Sequence, residues 1–124
     1  MATYTDQSGT IVAGVEEVAN ATKAPLYGLI TVTTTAQTLS TLLAAATPAV
    51  TIPSWATVAY VLAEVSSTVA LRWRADGTNP TASVGWPILG YAADSSILGY
   101  NAITNASLIS ATGASVTVSV RIAG

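Results

Sequence analysis

The rhythm of apolar and polar positions changes near residue 25. Before it, residues 1–24 mix small polar residues with Ile11, Val12, Val15 and Val18, and end at Lys23-Ala24-Pro25. The valines at spacing three fit either a short helix over Ile11 to Ala19 or an extended arm. Gly9 and Gly14 would each cost a helix about 1 kcal/mol, which favours the arm. A terminal segment of this length is commonly ordered by docking on a neighbour.

From Tyr27 onward the pattern is β. Leu29-Ile30-Thr31-Val32-Thr33-Thr34-Thr35 is rich in β-branched residues, which suit a pleated, half-buried surface. Thr38 to Leu43 reads as a second strand or as a helical turn running into Ala44-Ala45-Ala46, closed by Pro48. Ala49 to Pro53 reads as a short strand. Thr57 to Val65 is apolar on both alternating faces and predicts a central strand, with Tyr60 at an inward position. Val69, Leu71 and Trp73 face one way, with Arg72 and Arg74 opposite.

Asp76-Gly77-Thr78-Asn79-Pro80 is the strongest loop signal, because Asp-Gly favours positive φ and Asn-Pro opens a turn. Val84, Trp86 and Ile88 alternate next, and Pro87 marks an edge or a bulge. Ser107 to Ser110 is a short strand, and Thr112-Gly113 turns the chain. Val116, Val118, Val120 and Ile122 alternate with Ser115, Thr117, Ser119 and Arg121, the cleanest half-buried strand in the chain. Short strands at intervals of about 8–12 residues predict an all-β fold, a β-sandwich or jelly-roll-like barrel. The expected organisation is an extended N-terminal arm over residues 1–24 and a single β domain over 25–124.

Composition narrows the chemistry. The chain carries four bases and six acids in 124 residues, or 8% charge, against about 25% in an ordinary soluble domain. It has no histidine and no cysteine. This excludes Ser-His-Asp and Cys-His nucleophile systems, the usual zinc ligand sets, haem on histidine and disulfides, so no cofactor and no metal are expected. A net charge of -2 argues against nucleic acid, which needs a basic face. Residues 1–20 have no basic start for a secretory signal, and the apolar stretches, Leu42 to Ala46 among them, are far short of the roughly 20 residues of a spanning helix. The chain is expected to stay off membranes and in the cytoplasm until it assembles. A surface this neutral is most simply explained by burial against other subunits.

Few residues offer chemistry. Arg72, Arg74, Asp76 and Asn79 gather around one strand end and loop, where planar guanidinium forks could grip a partner's carboxylate or pair internally with Asp76 or Glu64. Asp-x-x-Asn alone lacks the oxygen ligands of a calcium loop. Trp55, Trp73, Trp86, Tyr60, Tyr91 and Tyr100 could form a sugar-stacking platform or fill a core that has no phenylalanine. Trp73 and Tyr60 are expected in the core, and Trp55, Tyr91 and Tyr100, near loops, in the core, at an interface or, in a carbohydrate-binding module, exposed in a groove. Glu16 and Glu17 are adjacent and point in different directions, unlike the facing carboxyls of a glycoside hydrolase.

The run from Ala70 to Ile88, Ala-Leu-Arg-Trp-Arg-Ala-Asp-Gly-Thr-Asn-Pro-Thr-Ala-Ser-Val-Gly-Trp-Pro-Ile, resembles a pattern of small virion proteins of tailed bacteriophages. There an arginine-bearing strand runs into Asp-Gly-Thr-x-Pro-Thr and then Val-Gly-hydrophobic-Pro-Leu. The resemblance spans about residues 28–122, its specific part being Arg74 to Pro87, and residues 1–24 lie outside it. Trp86 departs from the unbranched aliphatic residue common at that position. The resemblance implies a non-enzymatic structural part of the particle, similar to head-decoration or cement proteins. These bind the major capsid protein as dimers or trimers. On that reading the chain resides in the virion, assembled in the host cytoplasm, takes no small-molecule substrate, and meets its partners through Arg72, Arg74, Asp76, Asn79 and Trp86. A tail, baseplate or fibre-base component and a carbohydrate-binding β-sandwich module are the alternatives.

Overall fold

A computed structural model describes residues 24–93 and 95–124. The chain runs β1 (Leu26–Val32), β2 (Gln37–Thr38), α1 (Leu39–Ala44), β3 (Val58–Ala63), β4 (Leu71–Arg74), β5 (Trp86–Ile88), β6 (Ser96–Leu98), α2 (Tyr100–Asn105), β7 (Ser107–Ser110) and β8 (Val116–Ala123). The fold is mostly β, in two four-stranded antiparallel sheets. Sheet I has the order β1-β8-β3-β6 and sheet II the order β2-β7-β4-β5. The first strand pairs with the last, and the nesting continues inward as β2·β7, β3·β6 and β4·β5. The pairs β3·β8 and β4·β7 join these ribbons into sheets. Among the described residues no helix is long and apolar enough to cross a membrane. The predicted arm falls almost wholly on residues 1–23, outside the described part.

One apolar cluster takes side chains from both sheets. Sheet I contributes Ile30 and Val32, Ala59, Val61 and Ala63, Ile97, and Val116, Val118, Val120 and Ile122. Sheet II contributes Leu71, Ile88 and Leu108, with Trp73 packed at the margin. The alternation read along β8 is therefore a true inside–outside alternation. Trp73 lies on the core side as expected. Tyr60 does not: Ala59, Val61 and Ala63 are the buried side of β3, and Tyr60 points outward. The smaller side chains take the inner side of β3, and the bulk goes outside.

Residues 37–44 satisfy both readings of that stretch, two residues of strand followed by a helix. The Thr38 hydroxyl caps the helix by accepting the Thr41 N–H at 3.2 Å, and Leu39, Leu42 and Leu43 are buried. Gly28 is the seat of this helix on β1, because a Cβ there would lie 2.6 Å from the Leu43 side chain. The strand expected over 49–53 is absent: the Val50 N–H donates to the Leu43 carbonyl at 2.9 Å, and this segment closes the helix instead of joining a ladder. Helix α2 was not foreseen. Gly99 begins it with no side-chain cap, and buried Ile103 anchors it.

Candidate functional site

The sequence points to β4 and the loop after it, and there the geometry is closed on itself. Arg72 projects from the outer side of sheet II. Its Nε donates to the Ala82 carbonyl at 3.1 Å and its Nη1 to the Gly85 carbonyl at 2.9 Å. Arg74 grips Asp76 with both prongs of its fork, Nε to Oδ1 at 3.1 Å and Nη2 to Oδ2 at 2.5 Å. Asp76 Oδ1 also accepts the Thr78 N–H at 3.2 Å, and Gly77 takes the positive φ of 85° that the Asp-Gly signal predicted. The Ser107 hydroxyl on β7 donates to the Asn79 side-chain oxygen at 3.2 Å. A turn at 81–84 closes with Thr81 N–H to Val84 O at 2.8 Å, and Pro80 is buried. Gly85 admits the close approach, since a Cβ there would lie 3.0 Å from Pro80 and 3.1 Å from Arg72. The loop thus folds over the outer side of β4 and reaches β7.

Charge follows the same geometry. The hydrogen-bonded Arg74 guanidinium is the main cause holding the Asp76 carboxyl below its ordinary range, with the Thr78 N–H assisting. The same bond raises Arg74 further above its already high value. Of the five residues singled out from the sequence, Arg72, Arg74, Asp76 and Asn79 come together in this cluster. Trp86 does not join them. It sits on β5 opposite Trp73, and opposed residues share a sheet face, so it lies on the other face from the arginines, 70% exposed at the sheet edge.

A second surface went unread in the sequence. The outer face of sheet I carries Tyr27, Arg121, Tyr60 and Ser96 in one row across all four strands. The next row holds Leu29, Ser119 and Leu62. Tyr27 is 66% exposed, Leu29 59% and Leu98 70%. The Arg121 guanidinium lies over the Tyr60 ring, 4.3 Å from its centre. Beside it Tyr27, Tyr60, Leu62, Ser119 and Arg121 line a shallow hollow of roughly 230 Å³. The Ser119 hydroxyl bonds to the Glu64 carboxylate at the far end of the face. The signal was present, since Leu26, Gly28, Ile30 and Val32 alternate with Tyr27, Leu29 and Thr31, and both sets hold large apolar residues.

The three aromatic residues proposed as a platform are scattered. Trp55 is half-buried, with Gly124 against its backbone and ring. Tyr100 opens helix α2. Tyr91 is 62% exposed at φ 54° beside a hollow lined by Ser66, Ser67, Thr68 and Gly90. No family model, no curated protein and no solved structure matches this chain.

Proposed function

We propose that the chain is a structural virion protein, a capsid decoration or cement protein that binds the major capsid protein as a homo-oligomer and performs no catalysis. The observation that carries this reading is the outer face of sheet I. Tyr27, Leu29 and Leu98 stand exposed on one sheet face of a chain with only 8% charge. Apolar side chains left uncovered on the outer face of so neutral a protein mark a surface of association. The phage-like run over Ala70–Ile88 supplies the kind of assembly. Many weak contacts repeated over a lattice stabilise a shell by mass action.

The proposed architecture is a β-sandwich of the jelly-roll kind. The nested pairing of first strand with last, second with seventh, third with sixth and fourth with fifth supports it. Viral capsid and lectin domains share that architecture, which is an analogy of fold and not of activity. The test is co-sedimentation of the purified chain with heads of the phage that encodes it. Saturable binding at a fixed ratio to the capsid subunit is expected, and failure to sediment with heads overturns the reading.

One observation favours carbohydrate binding as a second reading. Tyr91 holds a left-handed backbone conformation, rare for a residue with a side chain, beside a hollow lined by Ser66, Ser67 and Thr68. A glycan array decides it: specific binding that Tyr91→Ala abolishes supports this reading, and no binding removes it.

A further inference from the structure

The outer face of sheet I needs an occupant, and the chain carries a segment whose chemistry fits. Arg121 sits in the middle of that face. Among the described residues the one ion pair is Arg74–Asp76, and the Arg121 guanidinium lies over the Tyr60 ring. Residues 1–23 hold three acids, Asp6, Glu16 and Glu17, and one base, Lys23. Residues 24–124 hold three acids and three bases. The whole net charge of -2 therefore belongs to the first 23 residues. The same segment carries Ile11, Val12, Val15 and Val18, apolar residues able to cover Tyr27, Leu29 and Leu98.

The attachment point argues for a neighbour over the segment's own sheet. The chain enters at Leu26, the start of β1, which is an edge strand of sheet I. Pro25 biases Ala24 toward extended backbone, which favours leaving β1 in line over doubling back on the face. Twenty-three residues reach up to about 75 Å when extended. Four strands are only about 14 Å across. We propose that residues 1–23 of one copy lie on the outer face of sheet I of a second copy. Their apolar residues meet Tyr27, Leu29 and Leu98, and one carboxylate of Glu16 and Glu17 faces Arg121. This deepens the decoration reading and rests on its premise that the chain assembles with itself.

The absence of cysteine makes the test clean. Full-length V15C and L29C, carrying tags of different size, are mixed and oxidised. A mixed V15C–L29C disulfide dimer in excess over either like pair is expected. Full-length chain with Ile11, Val15 and Val18 all changed to serine should fall to the monomer mass in light scattering. Arg121→Gln, a milder change, should weaken association about two- to fivefold, as one exposed ion pair would. If the serine variant keeps the oligomer mass and no mixed disulfide forms, the arm assignment is overturned while self-assembly stands. A disulfide found only within single chains of the doubly substituted protein overturns it as well. A wild-type chain that stays monomeric at every concentration overturns both this proposal and its premise.

Discussion

The outer faces of the two sheets differ in what lies on them. Sheet II presents Arg72 and Arg74, and the loop over residues 75–85 folds back to use them, with two carbonyls bound to Arg72 and a carboxylate to Arg74. Sheet I presents Tyr27, Leu29 and Leu98, and none of the described chain covers them. The charged residues that look most like a recognition site in the sequence are thus spent inside the subunit. The blander face is the one left for something else. A charge is a sign of partner binding only when the fold leaves it unpaired, whereas exposed apolar side chains keep their driving force for association until they are covered.

The sharpest way to break this contrast is to unfasten the loop. Arg72→Ala removes the donor of both carbonyls at once and should cost about 2 kcal/mol, since bonds from charged donors are the stronger ones. Chemical denaturation would measure it, and limited proteolysis should show new cleavage within residues 75–85. An unchanged midpoint would mean that the loop holds itself. Gly85→Ala should act alike, by about 1–3 kcal/mol, because its φ of 136° strains any side chain and a methyl group would press on Pro80 and Arg72.

Changes on sheet I should leave stability nearly alone and alter association. Leu29→Ser with Leu98→Ser should change the unfolding free energy by about 0.5 kcal/mol or less, as surface changes do. The same variant should lower the mass seen in light scattering. A large loss of stability with no change in mass would reverse the roles of the two faces.

The smallest effect expected concerns pH. Asp76 has its pKa lowered by folding, so its pairing stabilises the folded state above the unfolded carboxylate range and this contribution fades as pH falls through the lower, folded value. Asp76→Asn should therefore flatten the acid side of the stability curve and leave the sheet I face unaffected. Added salt should mute the difference, because the pair is exposed. A variant with the same acid limb as wild type would show that the pair contributes nothing there.

Local pattern alone determined a good deal of this molecule. The alternation of Val116, Val118, Val120 and Ile122 with polar neighbours set the inner side of β8, and Pro87 placed β5 at an edge. Asp76-Gly77 and Asn79-Pro80 marked the loop. These signals are legible because side-chain period and turn chemistry are written within a few residues. Long-range pairing decided the rest. β1 meets β8 across almost the whole described chain, and only that pairing puts Tyr27 beside Arg121 and Arg121 beside Tyr60. Tyr60 points outward because the fold has two apolar sides of β3 to choose from, and the smaller residues pack inside. Arg72 looks free in sequence because its partners are backbone carbonyls, which every residue carries and no motif can announce.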